Sequence, residues 1–291
     1  MTTERKWAVP HPADLMLVGI LWTASLKGLV SDFPAAQRLG GLHFVFALVM
    51  SCVVAVDAGR RHATWWSRIR PWAMVAWIFT LYSTLGRLSV EAVGTDTFDP
   101  VLSRIDIAIF GFDPSFEIQR FLTPGRIEAF ALAYAWFIPY IHLALFFNLE
   151  ARAGANREQF LTAWTLLYTL SYLGYLFVPA FGPVAFPIEH RHVELEGGHF
   201  LKLVRDSVAS SGGLFGVFPS LHVGCSVFLC YSDWSRDRLR SLMYVPIVLA
   251  IYGATIVLRY HYVIDLMVGT LLAFGTPTVG AWIYRRWETR R

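Results

Sequence analysis

The chain has 291 residues, of which 55% are hydrophobic and only 16% are charged, and its mean hydropathy is +0.47. Soluble domains carry about a quarter charged residues, so this composition argues against a soluble protein and indicates one in contact with lipid. The formal net charge of +4 is too small and too scattered to indicate binding to nucleic acid.

Eight apolar segments are predicted to cross a membrane, which takes about 20 mostly apolar residues. In chain order they are 14–30, 40–57, 71–93, 126–149, 159–180, 218–232, 242–258 and 261–284. The first follows Arg5 and Lys6 but contains Lys27 and lacks a small-x-small cleavage site, which favours a retained span over a cleaved signal peptide. No internal repeat or soluble linker interrupts the pattern. The sequence therefore predicts an all-α, polytopic helical membrane bundle, with residues 1–291 as a single integral membrane domain.

The distribution of Lys and Arg predicts the orientation of these spans. With the N-terminus in the cytoplasm, the inner segments carry 15 basic residues and the outer segments carry 7. Both termini are thus expected inside, in the cytoplasmic membrane if the protein is bacterial. The long loops 94–125 and 181–217 are expected outside. In the first of these loops, residues 99–122 mix apolar and acidic residues without the length of a span, which predicts an interfacial helix followed by a turn at Asp113-Pro114.

The first chemical motif is the sequence Pro-Ser-Leu-His, residues 219–222, at the outer start of the sixth span. Pro219 suits a helix start, and Ser220 can cap the opening turn, whose free N–H groups favour an anion. His222 projects from the same turn and would touch a phosphate held there. An ordinary helix start with a buried histidine is the alternative.

The second motif places His261 and Asp265 four residues apart at the outer start of the eighth span. On a helix the two side chains share one face, so the carboxylate can fix the imidazole tautomer and leave the other ring nitrogen as a nucleophile. A carboxylate in an apolar span costs about 3 kcal/mol or more, which argues for a role. A purely structural hydrogen bond is the alternative.

Together, the two motifs resemble the type 2 phosphatidic acid phosphatase superfamily, over roughly residues 126–284, the expected catalytic core. The resemblance implies that His261 attacks phosphorus to give a phosphohistidine and that Asp265 orients it. It also implies that His222 protonates the leaving oxygen and that Ser220 binds phosphate. This route needs no cofactor and no metal.

The phosphatases' Lys-(six residues)-Arg-Pro string is missing here, and Thr255 stands where they carry an arginine before the second histidine. The chain is more similar to the inositol phosphorylceramide and sphingomyelin synthase branch, also in residues 172–183. That resemblance implies a sphingolipid-type transferase, which moves a phosphate-containing headgroup from a lipid donor to a lipid or polyol acceptor. The alternative is a phosphatase acting on phosphatidic-acid- or polyprenyl-phosphate-type lipids. A proton-relaying transporter is a third, less favoured class.

Phosphoryl transfer needs positive charge near the phosphate oxygens. Arg259 adjoins His261 and is the first candidate, with an interfacial snorkelling arginine as the alternative. Arg87 is the second, although an ion pair with Glu91 would also explain it, and Lys27 is a further candidate on the outer side. Histidines and glutamates at positions 189–199 could suggest a metal site, but a solvated polar loop is the favoured interpretation.

Overall fold

The computed structural model describes residues 9–58, 64–94, 96–185, 194–211 and 213–290. Within those ranges the chain is helical and contains no β-strand, which confirms the predicted all-α class. The helices are α1 Pro12–Leu29, α2 Pro34–Ala58, α3 Thr64–Glu91, α4 Asp99–Phe110, α5 Pro114–Glu117, α6 Pro124–Ala135, α7 Phe137–Glu150, α8 Gly154–Phe177, α9 His199–Ser210, α10 Leu221–Trp234, α11 Arg238–Val257 and α12 Val263–Glu288.

Six helical stretches in the described ranges are long and apolar enough to cross a membrane, as in an integral membrane protein. They are Pro34–Val56, Arg68–Glu91, Pro124–Glu150, Gly154–Phe177, Arg238–Val257 and Val263–Glu288. The predicted number of eight is not confirmed. α1 has 18 residues and includes Asp14 and Lys27. α10 has only 14 residues, about 21 Å at 1.5 Å per residue, and is shorter than the ~30 Å hydrocarbon core.

Proline positions explain several helix boundaries. α1, α5 and α6 each carry a proline in their first turn, where the missing N–H is not needed. The span Pro124–Glu150 is interrupted at Trp136 between α6 and α7. Pro139 lies three residues after this break and has no N–H to donate to Ala135, so the regular helical ladder cannot continue through this point.

A helix does form in the loop 94–125, as predicted, followed by the expected turn. α4 ends with Gly111 in the left-handed conformation. The Asp113 side chain then accepts hydrogen bonds from the N–H groups of Ser115 and Phe116 and caps α5. Whether α4 lies at a membrane interface stays a prediction.

One end of the bundle, predicted to be cytoplasmic, is held together by ion pairs that are buried or half-buried. Arg70 of α3 donates to Asp14 of α1 at 3.0 Å and to Glu158 of α8 at 2.8 Å. Arg240 of α11 bonds to Asp233 of α10 at 2.7 Å. The first group joins the ends of α1, α3 and α8, and the second joins α10 to α11. The motif histidines lie at the opposite end of the bundle.

Helices α10 and α12 lie in close contact because glycines remove side chains between them. A Cβ built on Gly269 of α12 would lie 2.5 Å from the carbonyl oxygen of Ser220, the residue that precedes α10. A second glycine of α12 allows a similar approach to α8, because a Cβ on Gly280 would lie 2.5 Å from the Cα of Ala163. The close approach at Gly269 brings the starts of α10 and α12, and with them the two motifs, side by side.

Candidate active site

The two helix starts are joined through Ser220. Its hydroxyl accepts a hydrogen bond from the N–H of Val223 at 3.5 Å and caps α10, as the sequence predicts. Its own N–H donates to the main-chain carbonyl of Asp265 in the first turn of α12, at 3.1 Å. α10 begins at Leu221, so Pro219 lies just before the helix and not in its first turn. Ser220 is buried, and its hydroxyl is engaged in capping.

His261 lies on the turn before α12, two residues ahead of the helix, and not on the helix as the spacing suggested. The turn is sharp, with Arg259 at φ +63°, a left-handed conformation that a non-glycine residue rarely adopts. Asp265 is the third residue of α12, and its Oδ2 accepts the N–H of Tyr262 at 2.8 Å. The carboxylate therefore stabilises the turn that carries His261.

The two histidines are in direct contact. His261 Nε2 lies 3.3 Å from His222 Nδ1. His261 Nδ1 lies 2.9 Å from the carbonyl oxygen of Val217 and 3.5 Å from Asp265 Oδ2. A carbonyl can only accept, so His261 Nδ1 carries the proton and donates it to Val217. The predicted contact between Asp265 and His261 is present but longer, at 3.5 Å. The main-chain carbonyl of Val217 also orients the ring.

Burial keeps the His261 imidazole neutral. Only 3% of its surface is exposed. Burial lowers its pKa well below the usual 6.5 and the nearby His222 lowers it further, while the Val217 hydrogen bond partly opposes this shift. With the proton on Nδ1, the neutral ring presents the Nε2 lone pair to His222. This is the arrangement of a nucleophile next to a proton donor.

Aromatic side chains surround the pair, although the sequence motifs did not indicate them. The rings of Tyr134 and Phe137 lie 4.6 Å and 4.4 Å from the His222 ring, centroid to centroid. A cavity of about 40 Å³ opens onto both histidines. Its other walls include Tyr82, Phe181, Phe215 and Tyr260. Nothing in their sequence spacing distinguishes these aromatics from the other aromatic residues of the spans.

The predicted phosphate-binding cations do not line this cavity. Arg259 is buried beside it and donates to the side-chain oxygen of Gln119 at 2.8 Å. Arg87 is exposed and forms no ion pair with Glu91. The ammonium group of Lys27 lies 5.6 Å from the ring centroid of Phe177. A role for these three residues stays a prediction.

Only some of the possible metal ligands at positions 189–199 are among the residues that the structure describes. His190 and His192 lie outside the described residues. Among the residues that are described, no group of three or more His, Cys, Asp or Glu side chains is arranged to hold a metal ion.

Comparisons with known proteins agree with the geometry. The sequence profile of the PAP2 superfamily matches residues 102–279, more than half of the chain. Over 101 residues, the chain is 29% identical to the catalytic subunit of inositol phosphorylceramide synthase from Saccharomyces cerevisiae. That alignment covers 30% of this chain and 24% of the yeast protein, so the chain matches about a quarter of the length of this relative. No solved structure matches the chain significantly.

Proposed function

Because the chain belongs to the PAP2 superfamily, we propose that it is a membrane enzyme acting on lipid phosphoesters. More specifically, we propose a transferase that moves a phosphate-containing headgroup from a lipid donor to a lipid or polyol acceptor. The observation that carries this proposal is the 3.3 Å contact between His261 Nε2 and His222 Nδ1 at one end of the bundle. It supports a nucleophile and a proton donor that act on the same phosphorus atom once the site has opened.

In the proposed first step, the Nε2 lone pair of His261 attacks phosphorus and forms a P–N bond. The P–O bond to the donor's alcohol breaks as His222, which holds a second proton only while the anionic substrate lies beside it, gives that proton to the departing oxygen. His261 then carries a positive charge. Asp265 Oδ2, 3.5 Å from Nδ1, stabilises that charge, while the Val217 carbonyl keeps the ring in place.

In the second step, neutral His222 removes the proton of an acceptor hydroxyl. The acceptor oxygen attacks phosphorus, the P–N bond breaks, and His261 returns to its neutral form. A sugar-like or lipid hydroxyl as acceptor gives transfer, and water gives hydrolysis. The same residues serve both outcomes, so access of the acceptor decides between them.

The site has to widen before it can hold a substrate. A phosphorus between an attacking nitrogen at about 3 Å and a hydrogen-bonded leaving oxygen requires the two ring nitrogens to separate by roughly 2–3 Å. The cavity of about 40 Å³ is too small for a lipid headgroup. We expect the segment 213–216, which forms one wall of the cavity, to move outward on binding while Val217 stays bonded to His261. Arg259, on the turn that carries His261, is the nearest proposed cation for the phosphate oxygens, and Lys27, Arg87 and Ser220 are further proposed contacts.

Two observations support transfer over hydrolysis. The basic positions that the phosphatases use before each histidine motif are missing from this sequence. The curated relative that matches is named as an inositol phosphorylceramide synthase. A lipid phosphate phosphatase is the second candidate, because the superfamily takes its name from that activity.

The test is to incubate the purified full chain with headgroup-labelled phospholipids, with and without ceramide, diacylglycerol or inositol. The proposal predicts a labelled lipid or polyol product that appears only when the acceptor is present. The same preparation with His261→Ala should give none. Release of free phosphate or free headgroup in every case would make the enzyme a hydrolase. No turnover of any lipid phosphoester would reject the proposed function.

A further inference from the structure

Helix α4 buries polar side chains against the protein and exposes apolar ones, the reverse of the usual arrangement in a helix whose outer face meets water. One face is buried and carries Asp99, Leu102, Ser103 and Asp106, spaced three and four residues apart. The large apolar side chains Val101, Ile107, Ile109 and Phe110 are instead 38–49% exposed. Two carboxylates thus point into the protein, where burial is costly unless each one is fully hydrogen-bonded.

Asp106 is hydrogen-bonded to the first turn of α12. Its Oδ2 accepts the N–H of Val263 at 2.7 Å, and its Oδ1 accepts the N–H of Ile264 at 2.8 Å. These are the first two N–H groups of α12, and a helix cannot satisfy them itself. His261 lies only two residues before Val263. The carboxylate therefore holds the base of the turn that carries His261.

Asp99 holds the same turn from a second direction. Its Oδ1 accepts the N–H of Gly182 at 2.8 Å and the hydroxyl of Tyr262 at 3.0 Å, and its Oδ2 accepts the N–H of Phe181 at 2.9 Å. Phe181 is a wall of the active-site cavity, and Tyr262 follows His261 directly. One carboxylate therefore links the cavity wall to the turn that carries His261.

We propose that Asp99 and Asp106 are positioning residues, which hold His261 at the place where it can attack phosphorus. Their catalytic consequence rests on the proposed function; the positioning itself rests on the five hydrogen bonds above. Neither residue touches the reacting atoms. Only a carboxylate offers two acceptor oxygens to two neighbouring N–H groups. An asparagine would turn an NH₂ group towards one of those donors and lose that bond.

A shifted His261 should slow the chemical step more than it weakens substrate binding, because a displacement of 1 Å can cost up to about 100-fold in rate. The test uses the full chain reconstituted in lipid vesicles, with Asp106→Asn, Asp106→Ala and Asp99→Asn. Asp96→Asn is the matched control, since Asp96 lies in the same loop but is exposed. We expect kcat to fall about tenfold or more in all three variants with KM within about twofold, and Asp106→Asn to retain more activity than Asp106→Ala.

Hydrogen–deuterium exchange provides a readout that does not depend on activity. Peptides that cover residues 259–266 should exchange faster in the three variants and not in the control. In Asp99→Asn the peptide that contains Phe181 and Gly182 should also exchange faster, and the rest of the chain should be unchanged. Wild-type kcat in Asp106→Ala would overturn the proposal. So would faster exchange throughout the chain with kcat and KM altered together, because it would show a general role in folding. If the wild-type protein turns over no lipid phosphoester while exchange in the variants still changes only at residues 259–266 and, in Asp99→Asn, at 181–182, the proposed function fails and the positioning contact stands.

Discussion

At the level of single residues, the site shows how a buried imidazole is kept neutral and in one tautomer. The Val217 carbonyl fixes the proton on His261 Nδ1, and Asp265 Oδ2 lies within 3.5 Å of the same nitrogen. The other carboxylate oxygen, Asp265 Oδ1, is buried and has no hydrogen-bond partner among the described residues. An unsatisfied buried oxygen costs about 1–3 kcal/mol, which is consistent with a carboxylate retained to stabilise charge that appears during the reaction.

The pH dependence of the reaction should report the state of His261. Burial disfavours the imidazolium form and lowers the pKa of His261, so the neutral nucleophile persists as the pH falls through 6.5. On the acidic side, activity is lost when the pH falls through this lowered pKa of His261. With a phosphodiester donor, which does not titrate in this range, the acidic limb of kcat/KM should have its midpoint below pH 6.5. A midpoint at or above 6.5 would show that His261 is not held neutral by its surroundings.

The sequence could predict those site residues whose chemistry follows from local spacing. Ser220, His222, His261 and Asp265 each belong to a short motif, and the structure brings all four together. The Val217 carbonyl could not be predicted, because it lies 44 residues from His261 in the chain. The same holds for the aromatic walls, whose positions depend on the packing of helices.

At the level of helices, the contact between α10 and α12 sets the distance between the two motifs. Its critical position is Gly269, where a side chain would meet the Ser220 carbonyl, a main-chain atom that cannot rotate away. α10 itself is only 14 residues long and is largely buried among its neighbours. The position of α10, and therefore of His222, is fixed by this packing.

Gly269→Ala should therefore separate the two motifs. The added methyl group needs a shift of the backbone of α10 or α12, which we expect to lower stability by about 1–3 kcal/mol and to reduce kcat. Gly275→Ala is the matched control on the same helix, because a Cβ there meets no atom within 4 Å. The control should be neutral or slightly more stable, since alanine favours a helix by about 1 kcal/mol over glycine. Equal thermal stability and activity of the two variants would contradict this role for Gly269.

The sequence shows two carboxylates in α4, but it could not predict which groups they bind. Asp99 and Asp106 are seven residues apart in a mostly apolar helix, so they share one face. The sequence does not say whether that face points to water or into the protein. The structure shows that it is buried against the turn that carries His261, more than 150 residues away.

At the level of the whole molecule, all eight predicted spans coincide with helices. They differ in length and in apolar character, and only six stretches in the described ranges are both long enough and apolar enough to qualify as spans. The pattern of apolar residues could predict where helices form. It could not predict that α10 is short and enclosed by other helices, because burial by protein and burial by lipid leave the same apolar signature.

The orientation in the membrane is predicted from basic residues and needs a direct test. We propose that both termini face the cytoplasm and that the histidine pair lies at the outer surface. A membrane-impermeant maleimide should label Lys202→Cys in right-side-out vesicles and should label Arg238→Cys only after permeabilisation. Both positions are exposed, and Cys52→Ser removes the exposed natural cysteine. The opposite pattern would place the histidine pair on the cytoplasmic side.

The proposed mechanism as a whole depends on a covalent bond between His261 and phosphorus. The most direct measurement is to mix the enzyme with a phosphorus-labelled lipid donor, quench within milliseconds in alkali, and locate the label by mass spectrometry. The mechanism predicts an acid-labile, alkali-stable label on His261 that disappears when an acceptor is added and is absent from His261→Ala. Turnover without any labelled histidine, or a label on a different residue, would contradict it.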